Sequence, residues 1–316
     1  MILAPMQGLT ELLFRRAYQR TFPGAIRQAV APFISLTAGN PSHTASKAML
    51  DVEPRHNEGS IPVVPQILGN DPQQMLALAD ILAGMGYREV NWNIGCPMRR
   101  IAAKQRGSGI LPHPDRIGAI LDAVCGHMPL QLSVKMRLGH QSPDDIFKII
   151  PLLNSHPLAS VTIHPRTGKQ LYSGHPDIER FAQALPLIEH PVVYNGDITT
   201  LAQYRTITSR FNTVSDIMIG RGILLNPTLS LQIDAGEPLP DDIRLQLSHK
   251  FLDNLISDIL QQPMHDESKL RKIKEYWALV HHSIDLPELS ARQLLRINTL
   301  PDLTKAISSL SATTVF

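Results

Sequence analysis

Residues 130–168 read LQLSVKMRLGHQSPDDIFKIIPLLNSHPLASVTIHPRTG, and their pattern decides the fold class. Two short apolar runs, 130–136 and 160–164, flank a stretch long enough for a helix. Strand, helix, strand in that order predicts a parallel βαβ unit. The same alternation continues on both sides, with strand-like runs at 2–4, 25–33, 61–67 and 89–93 before it and at 192–195 and 216–219 after it. Helical segments separate them. One is expected over 10–19. Asn70, Asp71 and Pro72 supply a cap and first-turn signal for another, which carries Met75, Leu76, Leu78 and Leu82. Ile117, Ile120, Leu121 and Val124 recur at the spacing that puts all four on one helix face, and Cys125 belongs to the end of that helix. Eight βα repeats predict an α/β fold closed as a TIM (β/α)8 barrel, with an open doubly wound sheet as the rival.

The unusual residues favour the barrel. GCP at 95–97, KMR at 135–137, HPRTG at 164–168, NGD at 195–197 and GRG at 220–222 all fall at or just beyond the carboxyl ends of strands, where barrels assemble their sites. After Ile233 the run DAGEPLPDD reads as a linker, and the remainder is helical in pattern. The expected division is a barrel over 1–236 and a small all-helical domain over 237–316.

Composition limits the function classes. The 316 residues are 43% hydrophobic and 5% aromatic, with 30 Lys plus Arg against 28 Asp plus Glu. That is enough apolar material for a large core, and the net charge of +2 permits a polyanionic partner without requiring one. No apolar run reaches the roughly 18–20 residues of a membrane helix, so no membrane is expected. Cys96 and Cys125 lie outside any CxxC pattern, and the thirteen histidines show neither HxxxH nor HExxH spacing. No metal is implied, and a reducing cytoplasm fits.

Several residues carry chemical potential. Gly220-Arg221-Gly222 follows the eighth strand, where barrels commonly hold a phosphate; the glycines allow close backbone approach and Arg221 can clamp oxygens, although a tight turn with a solvated arginine has the same pattern. Asn195-Gly196-Asp197 faces the same region. Lys135 ends an apolar strand, where a cation needs an electron-rich partner; it suits a Schiff-base nucleophile, a stabiliser of negative charge, or a rim lysine reaching solvent. His164 ends the next strand. Cys96 sits between Gly95 and Pro97 at a sharp strand exit and can serve as nucleophile or acid. At an ordinary thiol pKa of about 8.5 it is protonated, so proton donation needs no activation. Arg99, Arg100, Lys104 and Arg106 follow it as a basic loop.

These motifs together resemble the tRNA-dihydrouridine synthases. LAPMQGLT at 3–10, PQILGN at 65–70, NWNIGCP at 91–97, SVKMRLG at 133–139, HPRTGKQLYSG at 164–174, YNGDI at 194–198 and MIGRG at 218–222 follow the family's order, and KIK at 272–274 is similar to a basic motif of its helical domain. The resemblance implies FMN held by Ala4, Pro5, Met6, Gln66, Lys135, His164, Asn195, Gly196, Asp197, Gly220 and Arg221. It implies hydride transfer to uracil C6, proton donation to C5 by Cys96, and NADPH as electron donor. Asn93, Arg99, Arg100, Arg166 and Tyr172 would meet the substrate, and Lys272 and Lys274 the RNA backbone. The expected partner is tRNA, bound by a monomer. The alternatives are a ribosomal RNA substrate, or an FMN barrel reducing a free dihydroorotate- or enone-type molecule. The chain departs from the family at Ala31-Pro32, where a Thr-Glu pair is usual, at Pro165, where Gly is commoner, and at 174–177, which lacks the usual Asp-Trp.

Overall fold

The computed structural model describes residues 1–36, 46–284 and 288–313. Ten short strands form one all-parallel sheet: β1 (Ile2–Leu3), β2 (Gln28–Val30), β3 (Ile34–Ser35), β4 (Val63–Val64), β5 (Gln66–Leu68), β6 (Glu89–Ile94), β7 (Gln131–Gly139), β8 (Leu158–Thr167), β9 (Val192–Tyr194) and β10 (Asp216–Ile219). They amount to eight staves. β2 and β3 are halves of the second stave, interrupted at Pro32, and β4 and β5 are halves of the third, interrupted at Pro65. Proline has no N–H for the ladder, so pairing lapses at each. The halves stay in step, since β2 pairs with β4 and β3 with β5. The Pro65 carbonyl still accepts the Asn91 N–H at 2.9 Å.

β1 closes the ring. It pairs with β10 on one side, Ile2 opposite Met218, and with β2 on the other, Ile2 opposite Gln28. The chain is therefore a closed eight-stave parallel barrel, as the alternation predicted. Two staves run further than expected: β7 continues to Gly139 and β8 to Thr167, with register shifts on the way. Arg137 and Arg166 thus lie within strands, on the same faces as Lys135 and His164.

The period of two sorts the side chains. Along β6, Val90, Trp92 and Ile94 join the apolar core, while Asn91 and Asn93 alternate with them. Along β7, Leu132, Val134, Met136 and Leu138 are core, and Ser133, Lys135 and Arg137 take the other face. One face of these two staves packs in the main core and the other carries polar groups, while Ile2, Ala4, Val30, Val193 and Met218, on or next to β1, β2, β9 and β10, form a separate small apolar cluster.

The helix after β1 runs Leu12–Thr21, two residues later than its predicted start. Thr10 is already committed: its hydroxyl donates to the Ala4 carbonyl at 2.9 Å and accepts the Met6 N–H at 2.8 Å. That bond pair fixes the loop at 4–6. The helix Pro72–Gly84 starts as expected, with Asp71 accepting the Gln74 N–H at 3.1 Å. Ile117, Ile120, Leu121 and Val124 are all buried on the helix Pro114–Cys125.

Beyond residue 240 the described residues are helical, led by Asp241–Leu260 and Asp266–Val280. These helices share a core with the barrel's first helix. Phe14 meets Phe251 edge-on at 5.4 Å and stacks with Tyr276 at 6.1 Å, and Tyr276 donates to the Leu9 carbonyl at 2.6 Å. Each aromatic pair contributes about 0.5–1.5 kcal/mol beyond its burial. No helix among the described residues is long and apolar enough to cross a membrane.

Candidate active site

Two adjoining cavities open at the carboxyl ends of the staves. One is lined by Ala4, Pro5 and Met6 with Asn195, Gly196, Asp197, Gly220 and Arg221. The other, of about 370 Å³, holds Cys96 with Pro32, Phe33, Asn93, Met98 and Arg137. Pro5, Met6, Lys135, His164 and Tyr172 line both and form the wall between them.

Cys96 is held by its backbone. The Asn93 side-chain oxygen accepts the N–H groups of Gly95 and Cys96 at 3.0 and 2.9 Å, and the Cys96 carbonyl accepts the Ser108 N–H at 2.9 Å. Gly107, at φ +54°, lies directly behind: a β-carbon there would stand 2.6 Å from the Cys96 carbonyl oxygen. Burial pushes the Cys96 thiol above its ordinary pKa, against smaller downward pulls from the Met98 backbone, Arg137, Lys135 and Arg100. The thiol is protonated at neutral pH. The arginine-rich loop does not reverse this because Arg99 and Arg100 are exposed to solvent, where their charges are screened.

Lys135 projects its amine between the cavities. Desolvation, reinforced by Arg137, pushes its pKa down to about 7, with Cys96 opposing. Among the described residues it has no hydrogen-bonded or ion-paired partner, which leaves its amine free to take up a proton beside an incoming anion. Arg137 is buried and donates to the carbonyls of Thr167 and Leu171, both at 2.6 Å.

Arg166 knits the far wall. All five of its guanidinium N–H groups are engaged. They reach His164 Nε2 at 3.0 Å, Asp197 Oδ1 and Oδ2 at 2.8 and 2.5 Å, and the Gly174 and Ser173 carbonyls at 2.7 and 3.3 Å. Asp197, in the left-handed region at φ +39°, also accepts from Arg221 at 2.5 Å. The two guanidinium groups hold its carboxyl below the usual range, against the upward push of burial. Desolvation, together with Arg137, Lys135, Arg166 and Arg221, drives the His164 pKa well down, so the ring is neutral.

The glycines of this wall are there for space. A β-carbon on Gly222 would lie 2.0 Å from the Ile198 carbonyl oxygen, and one on Gly220 would crowd Met6 Sδ at 3.0 Å. Gly220 precedes the helix Arg221–Leu225, whose first N–H groups have no intrahelical acceptor.

The remaining predicted residues divide. Tyr172 stands at the mouth, 51% exposed, with the Arg221 and Arg137 guanidinium carbons 4.7 and 5.4 Å from its ring centroid. Gln66 is buried below the cavities: it donates to Asn91 at 2.7 Å and accepts from Asn93 at 2.8 Å, and Asn91 continues to Ser133 at 3.0 Å. Arg99 and Arg100 open the short helix Arg99–Ala102 and are exposed beside Cys96. Lys272 is turned inward, bonding the Gly8 carbonyl and lying 3.3 Å from Glu11. Lys274 lines a surface recess with Arg271 and two glutamates, Glu267 and Glu275.

Sequence reasoning missed Arg137, Pro32, Phe33 and Met98 as cavity-lining residues. The period of two along β7 pairs Arg137 with Lys135 and is the signal that could have found it. Pro32 occupies the departure from the family's Thr-Glu pair, which makes that wall apolar.

A family model described as dihydrouridine synthase (Dus) matches residues 2–299. The chain belongs to the dihydrouridine synthase family. Among relatives in this family, it is 29% identical over 253 residues to a probable tRNA-dihydrouridine synthase of Rhodobacter capsulatus, covering 80% of this chain and 76% of that one. It is 31% identical over 247 residues to tRNA-dihydrouridine synthase B of Yersinia pestis, covering 76% and 74%. A solved structure of morphinone reductase in complex with tetrahydroNAD superposes with a TM-score of 0.52 at 10% identity, over 76% of this chain and 87% of that one. That likeness concerns the barrel fold alone.

Proposed function

We propose that this dihydrouridine synthase reduces the C5=C6 bond of a uridine in tRNA, with FMN in the first cavity, the target base in the second, and NADPH as the electron donor. The observation that carries the reading is the shared wall. Lys135 and His164 belong to both cavities, and a protonated thiol faces one of them. The residues present suit a flavin phosphate and ring: Gly220 and Arg221 line the first cavity where tight packing against Ala4, Met6 and Ile198 admits no side chain at Gly220 or Gly222, and Lys135 brings an unpartnered amine to the partition.

When bound, FMN supplies a hydride to uracil C6 and is recharged by NADPH. The chain's own residues do the rest. Cys96 gives its proton to C5 from the opposite face, and solvent restores it, so the sum is uridine, NADPH and a proton to dihydrouridine and NADP⁺. Burial holds that proton in place until the base arrives. Lys135 would offset the negative charge of the reduced ring. Ala4, Pro5 and Met6, held by Thr10, would line the cofactor's site with Asn195, Gly196 and Asp197.

The cavity is sunken, so the base must leave its stack to enter. Tyr172 at the mouth offers it a flat cationic-backed surface, while Arg99, Arg100 and Lys274 meet phosphates. Barrel residues 1–236 carry the chemistry and residues 237–316 contribute RNA contact. NADPH oxidation should depend on an unmodified tRNA transcript. Equal stimulation by free uracil or orotate would contradict the RNA reading, and protein that takes up no FMN would contradict the flavin reading.

A further inference from the structure

We infer that Arg166 is a positioning residue that fixes the tautomer of His164, placing the ring proton on Nδ1, and couples that ring through Asp197 to Arg221. The argument is one of donors. A guanidinium nitrogen has hydrogens and no available lone pair, so the 3.0 Å contact between Arg166 Nη1 and His164 Nε2 requires Nε2 to accept. A neutral ring that accepts at Nε2 carries its proton on Nδ1. This is the reverse of the tautomer that predominates in free neutral histidine. Burial enforces neutrality, and Arg137, Lys135, Arg166 and Arg221 further oppose a positive charge there.

Arg166 is only 1% exposed, and with its five donors spent it has none left for a substrate. Its fork on Asp197 leaves that carboxylate also holding Arg221, at 2.5 Å. The chain His164, Arg166, Asp197, Arg221 therefore runs along the wall from the shared partition to the glycine cradle. Loss of Arg166 would free the His164 tautomer and leave Asp197 with one cation instead of two. Its effect on cofactor binding rests on the flavin reading; its effect on the ring does not.

The test separates the two. In ligand-free protein labelled with ¹⁵N-histidine, the His164 resonances are identified by their loss in His164→Gln. The wild type should show protonated Nδ1 and bare Nε2 at pH 7. Arg166→Met should shift His164 toward Nε2–H and, by leaving Asp197 and Arg221 less firmly held, weaken FMN binding about tenfold. Nε2–H in the wild type would overturn the inference, and that spectrum decides even if the variant does not fold. An unchanged tautomer in Arg166→Met would also overturn it, as would a changed tautomer with unchanged FMN affinity. Failure of the wild type to bind FMN would sink the flavin reading and leave the tautomer result standing.

Discussion

Asn93 holds Cys96 by the backbone: its side-chain oxygen accepts the Cys96 N–H at 2.9 Å while its amide nitrogen donates to Gln66 at 2.8 Å. The loop that presents the thiol is thereby tied to a buried amide row running through Gln66, Asn91 and Ser133. Asn93→Ala removes an acceptor from two N–H groups, at a cost of about 1–3 kcal/mol. Turnover should fall at least tenfold with bound flavin unchanged, because the cofactor cradle is built on other staves. Parallel assays of product and of flavin absorbance check this; loss of both together would place Asn93 on the cofactor side.

Gly107 supports the same loop from behind. Gly107→Ala sets a β-carbon 2.6 Å from the Cys96 carbonyl oxygen at a left-handed φ of +54°. The strain, about 1–3 kcal/mol, should displace the loop and reduce product formation without altering flavin affinity. Wild-type turnover in Gly107→Ala would show that the close approach is not needed.

Cys96 should alkylate slowly at neutral pH. Burial raises its pKa, so the thiolate is scarce at pH 7 and the rate with iodoacetamide should rise only above the ordinary thiol range. Arg137 pulls that pKa down, so Arg137→Met should move the inflection further up. An inflection below the ordinary value would mean that cations dominate and the thiol is a poor proton store.

Lys135 makes cofactor binding a protonation event. With its pKa near 7 in the free protein, the amine is mostly neutral at pH 8, and the negatively charged ring of reduced FMN brought beside it raises that pKa. Binding of reduced FMN under anaerobic conditions at pH 8 should take up a proton, an uptake that fades as the pH falls below 6 and Lys135 is already charged. Calorimetry in buffers of different ionisation enthalpy measures it. Lys135→Met should abolish the uptake, and a buffer-independent heat for the wild type would contradict the assignment.

The barrel was legible because short strand-like runs alternate with helical segments along the chain, and because glycines and charges mark the strand ends. What was not legible is which atoms are already spent. Thr10 delays its helix because its hydroxyl serves Ala4 and Met6. Pro32 and Pro65 split two staves without displacing them. Arg166 and Lys272 carry the charge expected of RNA contacts, yet Arg166 is spent on His164 and Asp197 and Lys272 on Gly8 and Glu11. Charge is visible in a sequence, but hydrogen-bond saturation depends on residues distant along the chain.

The account rests on Cys96 as proton donor across a base from the flavin. Its most direct test measures dihydrouridine by mass spectrometry in unmodified tRNA transcript incubated with NADPH and either wild type or Cys96→Ala. The account predicts product with the wild type, and about 10²-fold less with a variant that still holds yellow flavin. Product at the wild-type rate from Cys96→Ala would contradict it.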